Sequence, residues 1–316
     1  MKSAVRSGVL GLMLAAAACD APPPPAAAIP AGQQIEAAIG RGDFAAAIEL
    51  IRPRAESGDA KARKQLGALY ERGKGVTQDS FEAVRWYRLA ANQGDAEAQN
   101  KLGTFYESGQ GASQDDAEAM RWYRLAADQG YPVAQSNIGS LYAKGRGVPQ
   151  DDAEAMRWYR LAADQGYSVA QSNIGSLYAK GRGVPQDDVE AARWYRLAAD
   201  QGDPQAQNIL GSLYYSGRGV PQDSAEAVKW QQKGAEQGYS DAQLILGLLY
   251  GNGNGVPHDL VQAHMWLNLA AIGGNGKAIV LSHMFDARMT PTQIGDAKTR
   301  AREWRPKRIA PDSLGP

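Results

Sequence analysis

The chain has 316 residues, 44% of them apolar, with 34 Lys plus Arg against 34 Asp plus Glu. Zero formal net charge argues against nucleic-acid binding, which draws on a basic excess over one face. Cys19 is the one cysteine, so no internal disulfide can form, and His258, His264 and His283 lack metal-site spacing such as CxxC or HExxH; no metal and no cofactor is expected.

Residues 1–18 read as a signal peptide. Lys2 and Arg6 give a basic start, and Val9 to Ala18 is an unbroken apolar and small-residue run, too short to span a bilayer comfortably. Ala16-Ala17-Ala18-Cys19 resembles a bacterial lipobox, with Ala16 where such boxes more often carry Leu. The resemblance implies that Cys19 takes a lipid on its sulfur and becomes the new N-terminus, anchoring the protein on the periplasmic side of the cell envelope. Cleavage after Ala18 or another alanine by an ordinary signal peptidase, giving a secreted or soluble periplasmic protein, is the alternative. Asp20 resembles the second-position aspartate that keeps some enteric lipoproteins at the inner membrane. Residues 20–32, with Pro22 to Pro25, read as a semi-rigid spacer holding the rest off the membrane.

Residues 33–58 read as a degenerate first unit. Asp43 can cap a helix running to Gly58, Leu50 stands in a position that later carries Trp, and Ile35 to Ile39 form part of a capping helix.

From 59 to 275 the chain repeats. Trp86, Trp122, Trp158, Trp194, Trp230 and Trp266 fall 36 residues apart, as do the pairs from Leu66-Gly67 to Leu246-Gly247. A period in this range is the signature of stacked repeats. In Asp151–Gln186, Asp151 and Glu154 can form a capping box, and the helix runs through Met156, Trp158, Tyr159 and Leu161 to Gly166. A second helix spans roughly Ser168 to Lys180, with Gly175 where the two approach closely, and Gly181 to Pro185 makes a turn. The same D-x-x-[E/Q] recurs at Asp79, Asp115, Asp187, Asp223 and Asp259. The fold class is therefore all-α, a solenoid of stacked antiparallel helix pairs, and tryptophan repeated in every unit is a packing residue. Asp115–Gln150 and Asp151–Gln186 differ only at Pro132 against Ser168, which implies tandem duplication.

Residues 276–305 read as capping helices: one over Lys277 to Arg288, then one with Thr290 as cap, Pro291 at its first position and Gln293 at its third. Residues 306–316 read as a disordered tail.

Ala134-Gln135-Ser136-Asn137-Ile138-Gly139 through Trp158-Tyr159 carries a pattern similar to that of the Sel-1-like repeat family, relatives of the tetratricopeptide repeats, and the likeness spans about residues 43 to 275. It implies a right-handed superhelix binding proteins or peptides on its concave face, used by bacterial relatives as an envelope adaptor. The first helix of each pair would line the groove. That places Asn100, Lys101, Thr104 and Ser108, then Ser136, Asn137, Ser140 and Lys144, then Ser172, Asn173, Ser176 and Lys180, and finally Asn208, Ser212 and Tyr215 toward a partner. Amides, hydroxyls and lysines suit an extended peptide or a carboxylate. Arginines at 85, 121, 157, 193 and at 88, 124, 160, 196 make a second ladder, read as a surface or salt-bridge feature.

The expected function is a non-catalytic, monomeric scaffold, tethered to a membrane by a lipid and holding a protein or peptide. The alternative is an enzyme or binder acting on β-lactams or peptidoglycan, as implied by disulfide-rich relatives; the repeats here have no cysteine and no nucleophile–base set.

Overall fold

The structure, a computed structural model, describes residues 30–307. Among them are sixteen helices and no strand. Helices α1 (Ala31–Gly40) and α2 (Phe44–Glu56) lead in. Six pairs follow: α3 (Ala60–Arg72) with α4 (Ser80–Ala91), α5 (Ala96–Ser108) with α6 (Asp116–Ala127), α7 (Pro132–Lys144) with α8 (Asp152–Ala163), α9 (Ser168–Lys180) with α10 (Asp188–Asp200), α11 (Pro204–Ser216) with α12 (Ser224–Glu236), and α13 (Ser240–Asn252) with α14 (Leu260–Ile272). Helices α15 (Gly276–Asp286) and α16 (Pro291–Glu303) end the stack. From α1 to α15 each helix packs on its chain neighbour, and the pairs wind into a right-handed solenoid.

The starts of the second helices are set by aspartate. Asp79, Asp115, Asp187, Asp223 and Asp259 each accept from two backbone N–H groups, and Asp151 accepts from Glu154 N. The capping box expected at Asp151 does not close. The backbone N–H of Asp151 already donates to Tyr142 O at 3.0 Å, and the equivalent bond recurs at every second helix of the array. The third-position glutamates turn elsewhere: Glu82 and Glu118 accept from Arg85 and Arg121 and from the indoles of Trp86 and Trp122. At Thr290 and Gln293, where no such carbonyl competes, the box forms.

The glycine ladder marks the closest approach within a pair. A Cβ on Gly103 would stand 2.4 Å from the Tyr123 ring, and one on Gly139 2.7 Å from Tyr159. Around these contacts Leu102, Ile138, Ile174, Leu210 and Leu246 are fully buried, each contributing roughly 1.5–3 kcal/mol. The tryptophans join repeats, as Trp122 packs with Tyr87 and Leu102, and Trp158 with Tyr123 and Ile138.

The ends differ from the middle. Helix α1 takes in Ala31 and Gly32, two residues expected in the spacer. His283 stands 36 residues after Gly247, where a partner helix would need bare backbone, and α16 packs on α14 instead. Trp304 meets Trp266 edge-on at 6.2 Å between centroids. Lys307, expected in a loose tail, is held: its Nζ and its N–H both donate to Glu236, at 2.7 Å.

Candidate partner-binding face

The first helices of the pairs, α3 through α13, stand side by side. Lys101 on α5 pairs with Glu71 on α3 at 2.8 Å, Asn137 on α7 donates to Asn100 Oδ1 on α5 at 3.0 Å, and α11 packs directly on α13. The residues expected to face a partner separate by register along these helices.

Three are buried and offer nothing to a partner: Asn100, Ser136 and Ser172. They lie three positions before the glycine, against the neighbouring helix. Asn208 holds that register too and is half-buried. One position on, Lys101, Asn137 and Asn173 are half-buried. The residues after the glycine work partly as supports. Thr104 accepts from the Tyr123 hydroxyl at 3.3 Å, Ser140 and Ser176 are hydrogen-bonded to Tyr159 and Tyr195, and Ser212 accepts from Gln231 at 3.3 Å. Burial pushes the Tyr159 hydroxyl up to about 12, partly offset by Ser140. Thr104, Ser108, Lys144, Lys180, Ser212 and Tyr215 are exposed and make an open row. Lys144 and Lys180 stand without an ion-pair partner among the described residues, whereas Arg146, Arg182 and Arg218 pair with Asp116, Asp152 and Asp188 of the preceding repeat.

The arginine ladders are spent on structure. Arg85, Arg121, Arg157 and Arg193 pair with the glutamate three residues earlier. Arg88, Arg124, Arg160 and Arg196 donate to the hydroxyls of Tyr106, Tyr142, Tyr178 and Tyr214, one repeat on. The first ladder is neutralised by its glutamates, which weakens the field the arginines offer to anionic lipid or nucleic acid.

Sequence reasoning misses one lattice. The glutamine of each of the five Ala-Gln steps is buried, and in the first four its Oε1 accepts from the glutamine of the next repeat's Gln-Gly step. The bonds are Gln129 to Gln99 at 2.8 Å, Gln165 to Gln135 at 2.8 Å, Gln201 to Gln171 at 2.7 Å and Gln237 to Gln207 at 2.8 Å. The recurrence of both glutamines at the 36-residue period is the signal that could have found it.

Among the described residues no three His, Cys, Asp or Glu side chains gather to hold a metal, and no helix is long and apolar enough to cross a membrane. His264 is buried, with Nε2 2.7 Å from Asp286 Oδ1 and Nδ1 2.8 Å from Asn268 Nδ2, and ties α14 to the end of α15. His258 and His283 are exposed. Cys19 lies outside the described residues.

Stacked helix pairs, a polar lattice between them and one open face define a helical-repeat solenoid. The chain belongs to the Sel1 repeat family, whose sequence pattern matches residues 60–95, 96–131, 132–167, 168–203, 204–239 and 240–275. Proteins of this family are generally non-catalytic scaffolds for protein interaction. A Sel1 repeat protein from Oxalobacter formigenes is similar in structure, with TM-score 0.72 and 34% identity over 76% of this chain and 98% of that one. A protective antigen present in uropathogenic Escherichia coli strains, which displays an SLR fold, is similar with TM-score 0.65 and 38% identity over 81% of this chain. The match spans 56% of that antigen's length. A search of curated protein sequences finds no match.

Proposed function

We propose that this protein is a non-catalytic, monomeric adaptor of the bacterial cell envelope. A lipid on Cys19 tethers it at the periplasmic side, and the concave face built by α3 to α13 holds a protein or peptide. The observation that carries this reading is the contrast between two sets of recurring polar groups. The arginines, glutamines and tyrosines of the repeats are consumed in bonds from one repeat to the next. The row Thr104, Ser108, Lys144, Lys180 and Ser212 stays exposed along one face. Hydroxyls and lysines in register at one-repeat intervals suit the backbone and carboxylates of an extended segment. Two near-identical repeats offer the same groups twice, which favours several weak contacts over one strong one.

The lone cysteine at the end of a short apolar run supports the tether, and the likeness to a bacterial protective antigen supports an envelope setting. Balanced charge and paired arginines support a partner other than nucleic acid.

The test is photocrosslinking from positions 144 and 180 in intact cells, followed by mass spectrometry. Capture of one envelope protein from both positions, lost from a control position such as Ala153 on the opposite helices, is the expected result. Equal yields from all three positions would overturn the reading. The tether is tested separately by metabolic labelling with an alkyne fatty acid, expected in the native chain and absent from Cys19→Ala.

A further inference from the structure

The fifth repeat departs from the array's own rule. Tyr87, Tyr123, Tyr159 and Tyr195 hold one register position, and each ring covers the glycine of the preceding helix. The next residue in that register is Gln231, which is shorter. Its Nε2 donates to Asn208 O at 2.9 Å and to Ser212 Oγ at 3.3 Å. Its Oε1 has no partner, and neither has Asn208 Oδ1, although both are shut from solvent.

Beside Ser212 a hollow of about 170 Å³ opens on the face formed by α11 and α13. Its walls are Ile245, Leu248 and Leu249, and its rim is Ser212, Tyr215 and Asn252. Asn254 closes the rim, its Nδ2 donating to the Tyr215 hydroxyl at 2.9 Å. The row turns apolar at this point. Asn137 and Asn173 are followed in register by Ile209 and Ile245, and Ser140, Ser176 and Ser212 by Leu248.

We propose that this hollow is an anchor site for one bulky aliphatic side chain, leucine, isoleucine or methionine, of an extended acidic peptide segment whose carboxylates lie over Lys144 and Lys180. The inference rests on the reading of this face as the binding face and adds the chemistry of the partner. The volume is close to the ~150 Å³ of an apolar cavity that takes a six-carbon ring. Apolar walls reward an aliphatic group, and the amides of the rim can meet a peptide backbone. Arg72, Lys144 and Lys180 share one register position and are exposed without an ion-pair partner among the described residues; Lys144 and Lys180 stand nearest the hollow and favour carboxylates. Neighbouring helices stand about 10 Å apart, and an extended chain rises about 3.3 Å per residue. The two carboxylates therefore fall about three residues apart, and the aliphatic residue about six residues beyond the second.

The probe is a labelled, serine-rich synthetic peptide with two glutamates and one leucine at those spacings, titrated against the full mature chain and read by fluorescence anisotropy. Replacing its leucine by serine should weaken binding about tenfold or more. Leu248→Ser restores the row's own residue in the wall of the hollow and should weaken the leucine peptide alike, with the melting temperature preserved. If that variant misfolds, Ile245→Asn, which restores the residue of Asn137 and Asn173 in that register, takes its place. Lys180→Glu should weaken both peptides, most at low salt. Equal affinities for the leucine and serine peptides, or unchanged binding to a folded variant of the hollow, overturn the anchor. If no peptide binds while positions 144 and 180 still crosslink an envelope protein, the anchor fails and the adaptor reading survives. If the leucine peptide binds but the crosslinks capture nothing, the reverse holds.

Discussion

The Tyr123 ring occupies the space beside Gly103 so closely that a Cβ there would lie 2.4 Å from a ring carbon. Glycine is thus what lets α5 and α6 meet. Gly103→Ala should cost about 1–3 kcal/mol, since a buried ring must shift. A Cβ on Gly276 would meet nothing within 4 Å, and that residue has no positive φ. Gly276→Ala should stay within about 0.5 kcal/mol of the native chain. Urea midpoints decide the matter, and similar losses at both sites would discredit the close-approach account.

Gln135 accepts from Gln165 Nε2 at 2.8 Å and is itself buried. Gln135→Ala deletes the buried amide with its bonds to Gln165 and to Ala127 O, while the exposed Gln165 keeps its bond to Leu161 O, so the loss should be about 1 kcal/mol. Gln165→Ala leaves the buried Gln135 Oε1 without its donor and should cost more, roughly 1–3 kcal/mol. The double substitution should cost less than the sum, because one bond is removed in both. Additive losses in a double-mutant cycle would show that the ladder does not couple the repeats.

These two cases show what a sequence can reveal of such a fold. Gly103 and Trp122 are legible because glycine and tryptophan at a fixed period point to close approach and to packing, and to little else. The role of Glu154 is not legible, because it depends on Tyr142, whose carbonyl takes the Asp151 N–H first; a four-residue window cannot see that competitor. Asn100, Ser136 and Ser172 mislead for a related reason. Polar side chains suggest solvent, yet three positions before the glycine the helix faces its neighbour, and the buried amide of Asn100 is matched by Asn137. The glutamine ladder joins residues 30 apart, so only the period, not local chemistry, exposes it.

Burial raises the hydroxyl of Tyr159 from its ordinary 10.0 to about 12, and that of Tyr195 upward also. The native state therefore keeps these protons where the unfolded chain gives them up. Their contribution is fully present below pH 10 and is lost as pH rises through about 12. Stability should hold to near pH 10 and fall between 10 and 12. Tyr159→Phe should shallow that fall while keeping the ring over Gly139. A denaturation midpoint with the same slope in native and Tyr159→Phe chains would rule the linkage out.

Trp304 meets Trp266 edge-on and, with Ala297 and Ala301, covers the end of the sixth repeat. Trp304→Ala should destabilise the chain by about 2 kcal/mol, less than a fully buried tryptophan because the side chain is half-exposed. In a solenoid each repeat senses only its neighbours. Amide exchange should thus quicken in α16, α14 and α13, and change little in α3 to α6. Uniform acceleration along the chain would mean that the stack unfolds as one unit. Exchange confined to α16 would mean that this helix is an ornament, and that Trp266 is covered well enough without it.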